Sequence, residues 1–176
     1  MKTHNEQSRD TRAALLACAE KLFLTHGFDG VSIRQITEAA SANVAAVNYH
    51  FSCKTNLYRE VLGQRLDEIA NTKLAILKEL DEQQPAANLG QILTTYIRSY
   101  FTSLLTSPDN DRLLQTIYRE MGPDAIASDL VATRLVMPIH QAFQKTICKA
   151  RPDLDEDHVS YCVSSITGQV LHFIRA

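Results

Sequence analysis

No apolar run in this chain approaches the roughly 18 residues that a bilayer-spanning helix needs. The N-terminus, MKTHNEQSRD, is polar and carries no apolar segment of the secretory kind. Both absences point to the cytoplasm and to no membrane partner. Cysteine is sparse: Cys18, Cys53, Cys148 and Cys162 form no CxxC and no Cys/His pair at metal-ligand spacing. Reduced thiols and no metal are therefore expected, with Cys18 a small core residue of the helical run ALLACAEKLF. Charge of one sign is not in excess either, since 18 Lys and Arg face 20 Asp and Glu. That balance alone gives no reason to expect nucleic acid. Catalytic signatures are missing as well: there is no GxSxG, HExxH, P-loop, dinucleotide fingerprint or paired-carboxylate motif. An enzyme is not expected, and no cofactor is implied.

Proline is absent from the first 84 residues, and this is where the pattern becomes legible. Residues Arg9 to His26 place Leu15, Leu16, Ala19, Leu22 and Phe23 along one helical face, and Gly27 stops the run. After the link Phe28-Asp29-Gly30 comes SIRQITEAASANVAAVNYHFSCK, which reads as two short helices around a tight turn. Ser32 can cap the first, with Ile33, Ile36 and Ala40 on one face. Ser41-Ala42 is the break, and Asn43 is a good N-cap for a second helix, Val44 to Phe51. Eight residues are too few for a helix to stand alone, so neighbours must hold it. Its outward side carries Ala45, Ala46, Asn48 and His50, small or hydrogen-bonding residues that suit close approach to base edges. Phe51 reads as core. Cys53 lies beside this surface; a reduced thiol is its default reading and a redox role the alternative.

The charge distribution softens the objection from net charge. Residues 1–62 carry seven Lys/Arg against six Asp/Glu, and the remainder eleven against fourteen. Phosphate contacts need only a few well-placed cations, and Arg9, Arg12, Arg34 and Lys54 are candidates. Arg9 and Arg12, taken individually, read better as solvated surface charges. Ser52 can cap a fourth helix from Lys54, in which Leu57, Tyr58, Val61 and Leu62 repeat at helical spacing. This pattern runs on through Leu66, Ile69, Leu74, Leu77 and Leu80.

Residues 10–62 resemble the TetR family of transcriptional regulators. The likeness rests on the link HGFDGVSIRQITEAA, the recognition segment NVAAVNYHF, and SCKTNLYREVL, with the spacing YHF-x-x-K-x-x-L. Ser41-Ala42-Asn43 stands where the family usually has Gly-Val-Ser, so Ser41 must accept a turn geometry that glycine adopts easily. The resemblance implies an all-α fold. A three-helix DNA-binding domain with a helix-turn-helix, residues 1–54, precedes a larger helical ligand-sensing and dimerisation domain, residues 55–176. It also implies a DNA-contacting set: Ser32 and Arg34 at the start of the first motif helix, Val44, Ala45 and Ala46 at the tip of the second. Asn48, Tyr49 and His50 follow along its face, and Lys54 opens the next helix, its ammonium within reach of a phosphate.

Beyond residue 82, Pro85, Pro108, Pro123 and Pro152 mark boundaries. Pro138, inside LVMPIHQAF, should kink a helix or divide two. Amphipathic segments follow at about 89–106, 109–121, 124–150 and 155–176. The resemblance implies a pocket for a small lipophilic or drug-like effector here. Tyr96, Tyr100, Phe101, Tyr118, Met121, Met137, His140 and Phe143 are candidates to line it, ordinary core packing being the alternative for each. Ile139, Phe143, Ile147, Val159, Val163, Ile166 and Val170 form stripes suited to a symmetric helical interface. The expected partners are thus palindromic operator DNA and a second copy of the chain. HVSYCVSSITGQVLHFIRA stays apolar to its end, which suggests that the natural chain extends past Ala176. A repressor released by its effector is the function expected, and a regulator without a small-molecule inducer is the alternative.

Overall fold

Helix α1 (His4–His26) buries Leu15, Ala19 and Phe23, which recur every four residues on one face. It ends where Gly27 turns left-handed at φ +72 and donates its N–H to the Phe23 carbonyl at 2.9 Å. The link then folds back so tightly that a Cβ on Gly30 would lie 2.3 Å from the His26 carbonyl oxygen. The computed structural model describes residues 4–83, 87–105, 108–122 and 125–175; for 4–5, 100–105, 108–111, 171 and 174–175 it describes the backbone alone.

Helix α2 (Ile33–Ala39) starts with a reciprocal cap. The Ser32 hydroxyl accepts the Gln35 N–H at 3.2 Å, and the Gln35 side chain accepts the Ser32 N–H at 2.8 Å. It ends in a Schellman motif, with Ser41 N–H donating to the Glu38 carbonyl and Ala42 N–H to the Thr37 carbonyl. Ser41 occupies the left-handed position of that motif, at φ +51. Helix α3 (Val44–Phe51) is capped by the Asn43 side chain, which accepts the Ala46 N–H at 2.8 Å. Val47 and Phe51 bury its inner side, and α1, α2 and α3 pack on one another.

Ser52 does not cap the next helix. It sits at φ +67, ψ −42, and Cys53 N–H donates across it to the Phe51 carbonyl at 2.8 Å. This is a γ-turn of the rare, strained hand. The residue that precedes α4 (Lys54–Glu82) is Cys53, whose carbonyl accepts the Leu57 N–H.

Helix α5 (Leu89–Leu105) opens with an Asn88–Gln91 capping box. Helix α6 (Pro108–Glu120) has proline at its first position, where the missing N–H costs nothing. The expected single segment 124–150 is subdivided. A short helix α7 (Ser128–Leu130) runs into a π-helical stretch (Val131–Val136) and then α8 (Met137–Ala150). Pro138 stands at the start of α8, and the widened turns before it accommodate a residue that has no N–H to give. Asp155 caps α9 (Glu156–Arg175), accepting the His158 N–H at 3.0 Å. Among the described residues no strand occurs.

By packing, the chain divides into two units, residues 1–65 with 112–130 and residues 66–111 with 131–176. This line differs from the sequence boundary after Lys54 for two reasons. Helix α4 is continuous, so no linker separates the parts, and residues 112–130 pack with the first unit. The core of the second unit joins Ala70, Leu77, Leu80, Ile92, Tyr96, Ile139, Phe143, Ile147, Val159 and Val163. The stripe expected to face a second copy is therefore largely internal. Its Ile139, Phe143, Ile147, Val159 and Val163 are core of the unit itself, with Ile166 packed against them and Val170 buried. Helical periodicity finds an apolar face but does not say whether the same chain covers it.

Candidate nucleic-acid interface

The two sides of α3 differ sharply. Val47 and Phe51, one turn apart, are buried, while Val44, Ala45, Asn48 and Tyr49 are exposed and Ala46 and His50 half-buried. Tyr49 is 77% exposed, a large aromatic held outward beside the His50 ring at 4.8 Å, edge to face. The caps at Asn43 and Ser32 fix the two helices of the motif at their starts, so the outward set rests on a defined backbone. Of the predicted contact residues, Ser32 is exposed but engaged in its cap.

The four candidate cations have separate fates. Arg34 is exposed and its Nε donates to Glu38 Oε1 at 3.0 Å, an open pair of the kind that yields easily to solvent or phosphate. Arg9 is exposed. Arg12 is a brace: it pairs with Glu60, and its guanidinium lies over the Phe51 ring at 5.2 Å. Lys54 is half-buried, its Nζ 4.1 Å from the centroid of the Phe28 ring.

Behind this surface lies a polar framework that sequence reasoning missed. The Tyr58 hydroxyl donates to Glu120 Oε1 at 2.7 Å, and Ala127 N–H donates to Glu120 Oε2 at 2.9 Å. Glu120 is 3% exposed, so these donors hold a buried carboxylate that would otherwise be costly. Burial, followed by the bond to Glu120, pushes the Tyr58 phenol up to about 12. Beside it Arg59 grips Asp129 with both guanidinium arms, at 2.7 and 2.6 Å, and donates to the Ile126 carbonyl at 2.7 Å. That grip holds the Asp129 carboxyl below its ordinary range. Helical spacing marks Tyr58 only as an apolar repeat position. The available signal was Glu120, a carboxylate in the last turn of α6, where the helix dipole disfavours it.

Comparison with known proteins agrees with this geometry. The family described as "Bacterial regulatory proteins, tetR family" matches residues 15–61. The family described as "HTH-type transcriptional dual regulator CecR, C-terminal domain" matches residues 89–176, half of the chain. The chain belongs to the TetR family of transcriptional regulators. It is 24% identical over 137 residues to the "Probable HTH-type transcriptional regulator YttP" of Bacillus subtilis, covering 78% of this chain. The matched part spans 63% of that relative's length. It is also 24% identical over 172 residues to the dual regulator CecR of Shigella flexneri, covering 95% of this chain and 77% of that protein. Among solved structures, a TetR-family regulator from Streptomyces coelicolor superposes with a TM-score of 0.60 at 21% identity, covering 99% of this chain and 72% of that one. A TetR-family protein from Mesorhizobium loti does so at 0.65 and 14% identity, covering 98% of each chain. These likenesses establish the fold, and the named relatives are regulators rather than enzymes.

The side chains named for a TetR-type effector pocket are distributed unevenly. Tyr96 and Phe143 are buried and stacked at 3.6 Å, with the Tyr96 hydroxyl 2.9 Å from that of Thr167. His140 Nε2 lies 3.0 Å from the Ser164 hydroxyl. Met137 is half exposed. Tyr118 and Met121 belong to the first unit, the others to the second. The side chains of Tyr100 and Phe101 lie outside the described residues. Among the described residues no three His, Cys, Asp or Glu side chains gather into a metal-binding set, and no helix is long and apolar enough to cross a membrane.

Proposed function

We propose that this chain is a homodimeric repressor that binds palindromic operator DNA, and that a small lipophilic or drug-like effector held by the second unit releases it. The observation that carries the DNA-binding part is the division of α3. Apolar Val47 and Phe51 anchor it, leaving Val44, Ala45, Asn48 and Tyr49 on a capped helix that is open to a major groove. In this reading Asn48 bonds a base edge, Val44 and Ala45 pack on thymine methyls or permit close approach, and Lys54 and Arg34 meet phosphates. Ser32, Ala46, Tyr49 and His50 complete the contact surface.

One motif reads half a site, and a two-fold pair reads half-sites about 34–36 Å apart or at multiples of that spacing. Tyr161, 75% exposed on the side of α9 away from the internal stripe, and Phe173, 70% exposed beyond the last buried residue of that stripe, support a helical dimer surface on α9. For release, the effector must bind the DNA-incompetent arrangement more tightly than the competent one. The continuity of α4 from Lys54 to Glu82 supports it as the element that carries that difference.

The test is operator binding by Asn48→Ala and Lys54→Ala across a salt series, using a duplex selected by the wild-type protein from a random library. Asn48→Ala should cost about 1–3 kcal/mol and relax preference at one base position per half-site. Lys54→Ala should lower the salt slope by about one per protomer without changing base preference. Unchanged affinity and slope in both variants would sink the surface assignment. A second reading, a constitutive or protein-controlled regulator without an inducer, is favoured by the close Tyr96–Phe143 stack, which fills space that a ligand would need. Stabilisation of the protein by members of a panel of lipophilic compounds separates the two, because only a binding site shifts the melting temperature.

A further inference from the structure

We infer that Phe28 is a positioning residue for DNA binding, a ring that seats the Lys54 ammonium so that its phosphate contact forms from a preset geometry. The inference rests on the reading of Lys54 given above. Phe28 lies in the link that follows Gly27, outside both helices of the motif, and nothing in that reading uses it.

Three rings build the seat. Phe28 meets Tyr58 edge to face at 5.1 Å and stacks on Phe23 at 6.2 Å, and Phe23 meets Tyr58 at 5.1 Å. Phe23 and Tyr58 are almost wholly buried, whereas Phe28 is half-buried. Lys54 and Tyr58 are one turn apart on α4, so the ammonium and the ring that supports Phe28 rise from the same helical face. At 4.1 Å from the centroid, Nζ is well inside the range in which a ring face attracts a cation.

The chemistry follows from the shape of an ammonium group. A ring face engages one side of the cation through its quadrupole and accepts no proton, so the charge stays available to an anion on the other side. A free lysine has much rotamer freedom to lose when it docks on a phosphate. A seated lysine has lost part of that freedom before DNA arrives, and binding is tighter by the corresponding factor. Arginine would not serve equally in this seat, since its flat fork would stack on the ring with a different reach.

The experiment is a double-mutant cycle on binding to a mixed-sequence duplex of about three helical turns, across a salt series, because a phosphate contact is independent of sequence. Phe28→Leu should weaken binding about two- to fivefold, the factor that an exposed cation–π contact carries. In the Lys54→Ala background the same change should have no further effect. Phe28→Tyr, which keeps the ring face, should bind as the wild type does. Circular dichroism and melting of each variant show that the fold is kept. Equal weakening by Phe28→Leu in both backgrounds would make Phe28 a mere structural residue and overturn the inference, as would no weakening in either. If Lys54→Ala alone leaves affinity and salt slope unchanged, the phosphate contact itself is refuted and the inference falls with it.

Discussion

Lys73 shows how one side chain can work against the fold that contains it. It lies on α4 in the second unit, 6% exposed, with Nζ donating to the Ser99 carbonyl at 3.2 Å and to the Ser99 hydroxyl at 3.3 Å. Burial pulls its pKa down to about 8 from the ordinary 10.5. At pH 7 both folded and unfolded chains carry the proton, so the folded state holds a charge that burial disfavours. Between pH 8 and 10.5 the folded state sheds the proton while the unfolded chain keeps it, and this site's contribution to stability rises with pH. Lys73→Met should therefore stabilise the protein at pH 7 by an amount on the order of 1–3 kcal/mol. The gain should shrink as the pH is raised towards 10. Urea midpoints of both proteins at the two ends of that range check it; a gain independent of pH would trace to packing instead. Nothing in the string NTKLAIL marks Lys73 as buried, because a lysine on an amphipathic helix normally reaches solvent.

At the scale of elements, the helix starts were legible because their chemistry is local. Ser32 and Asn43 cap within three residues of themselves, and Gly27 ends α1 where glycine is the residue such an end favours. The junction at Ser52 was not legible. A serine before a helix ordinarily caps it, and here the backbone closes a γ-turn first, which moves the start of α4 to the far side of Cys53. Phe51 before the turn and Leu57 after it are both buried, and tertiary packing of this kind has no local signature in the sequence. Ser52→Gly should relieve the positive-φ strain and, after the loss from a more flexible unfolded chain, stabilise by up to about 1 kcal/mol. For a chain of this size that is roughly 2–4 °C in melting temperature. A lower melting temperature for Ser52→Gly would show that the serine side chain contributes more than the strain costs. The π-helical stretch before Pro138 is a similar case, since proline announced an irregularity without revealing that it would be absorbed by wider turns.

For the whole molecule, the helix-turn-helix was legible and the partition was not. A periodic pattern assigns residues 112–130 to the region in which they occur in sequence, whereas Glu120 and Asp129 tie them to Tyr58 and Arg59 across more than sixty residues. The dimer stripe failed for a related reason, since the faces of α8 and α9 that looked free are the ones that pack on each other and on α5. Tyr58→Phe tests the partition. Removing the hydroxyl takes one donor from a buried carboxylate, a loss of about 1–3 kcal/mol. Native-state hydrogen exchange should then quicken in α1 and in residues 113–120 and at Ala127, while α8 and α9 keep their protection. Exchange that quickens in α8 and α9 to the same extent would mean that the two units open as one.

The reach from Tyr58 to Glu120 also sets an order of events during synthesis. The three helices that carry the recognition surface leave the ribosome first, but the carboxylate that receives the Tyr58 hydroxyl is made 62 residues later. At typical elongation rates of about 5–20 residues per second, that is a delay of about 3–12 seconds. Through that interval the nascent domain has its caps, its inner apolar face and the rings around Tyr58, but the Tyr58 hydroxyl and the Arg59 guanidinium wait for their acceptors until α6 and α7 arrive.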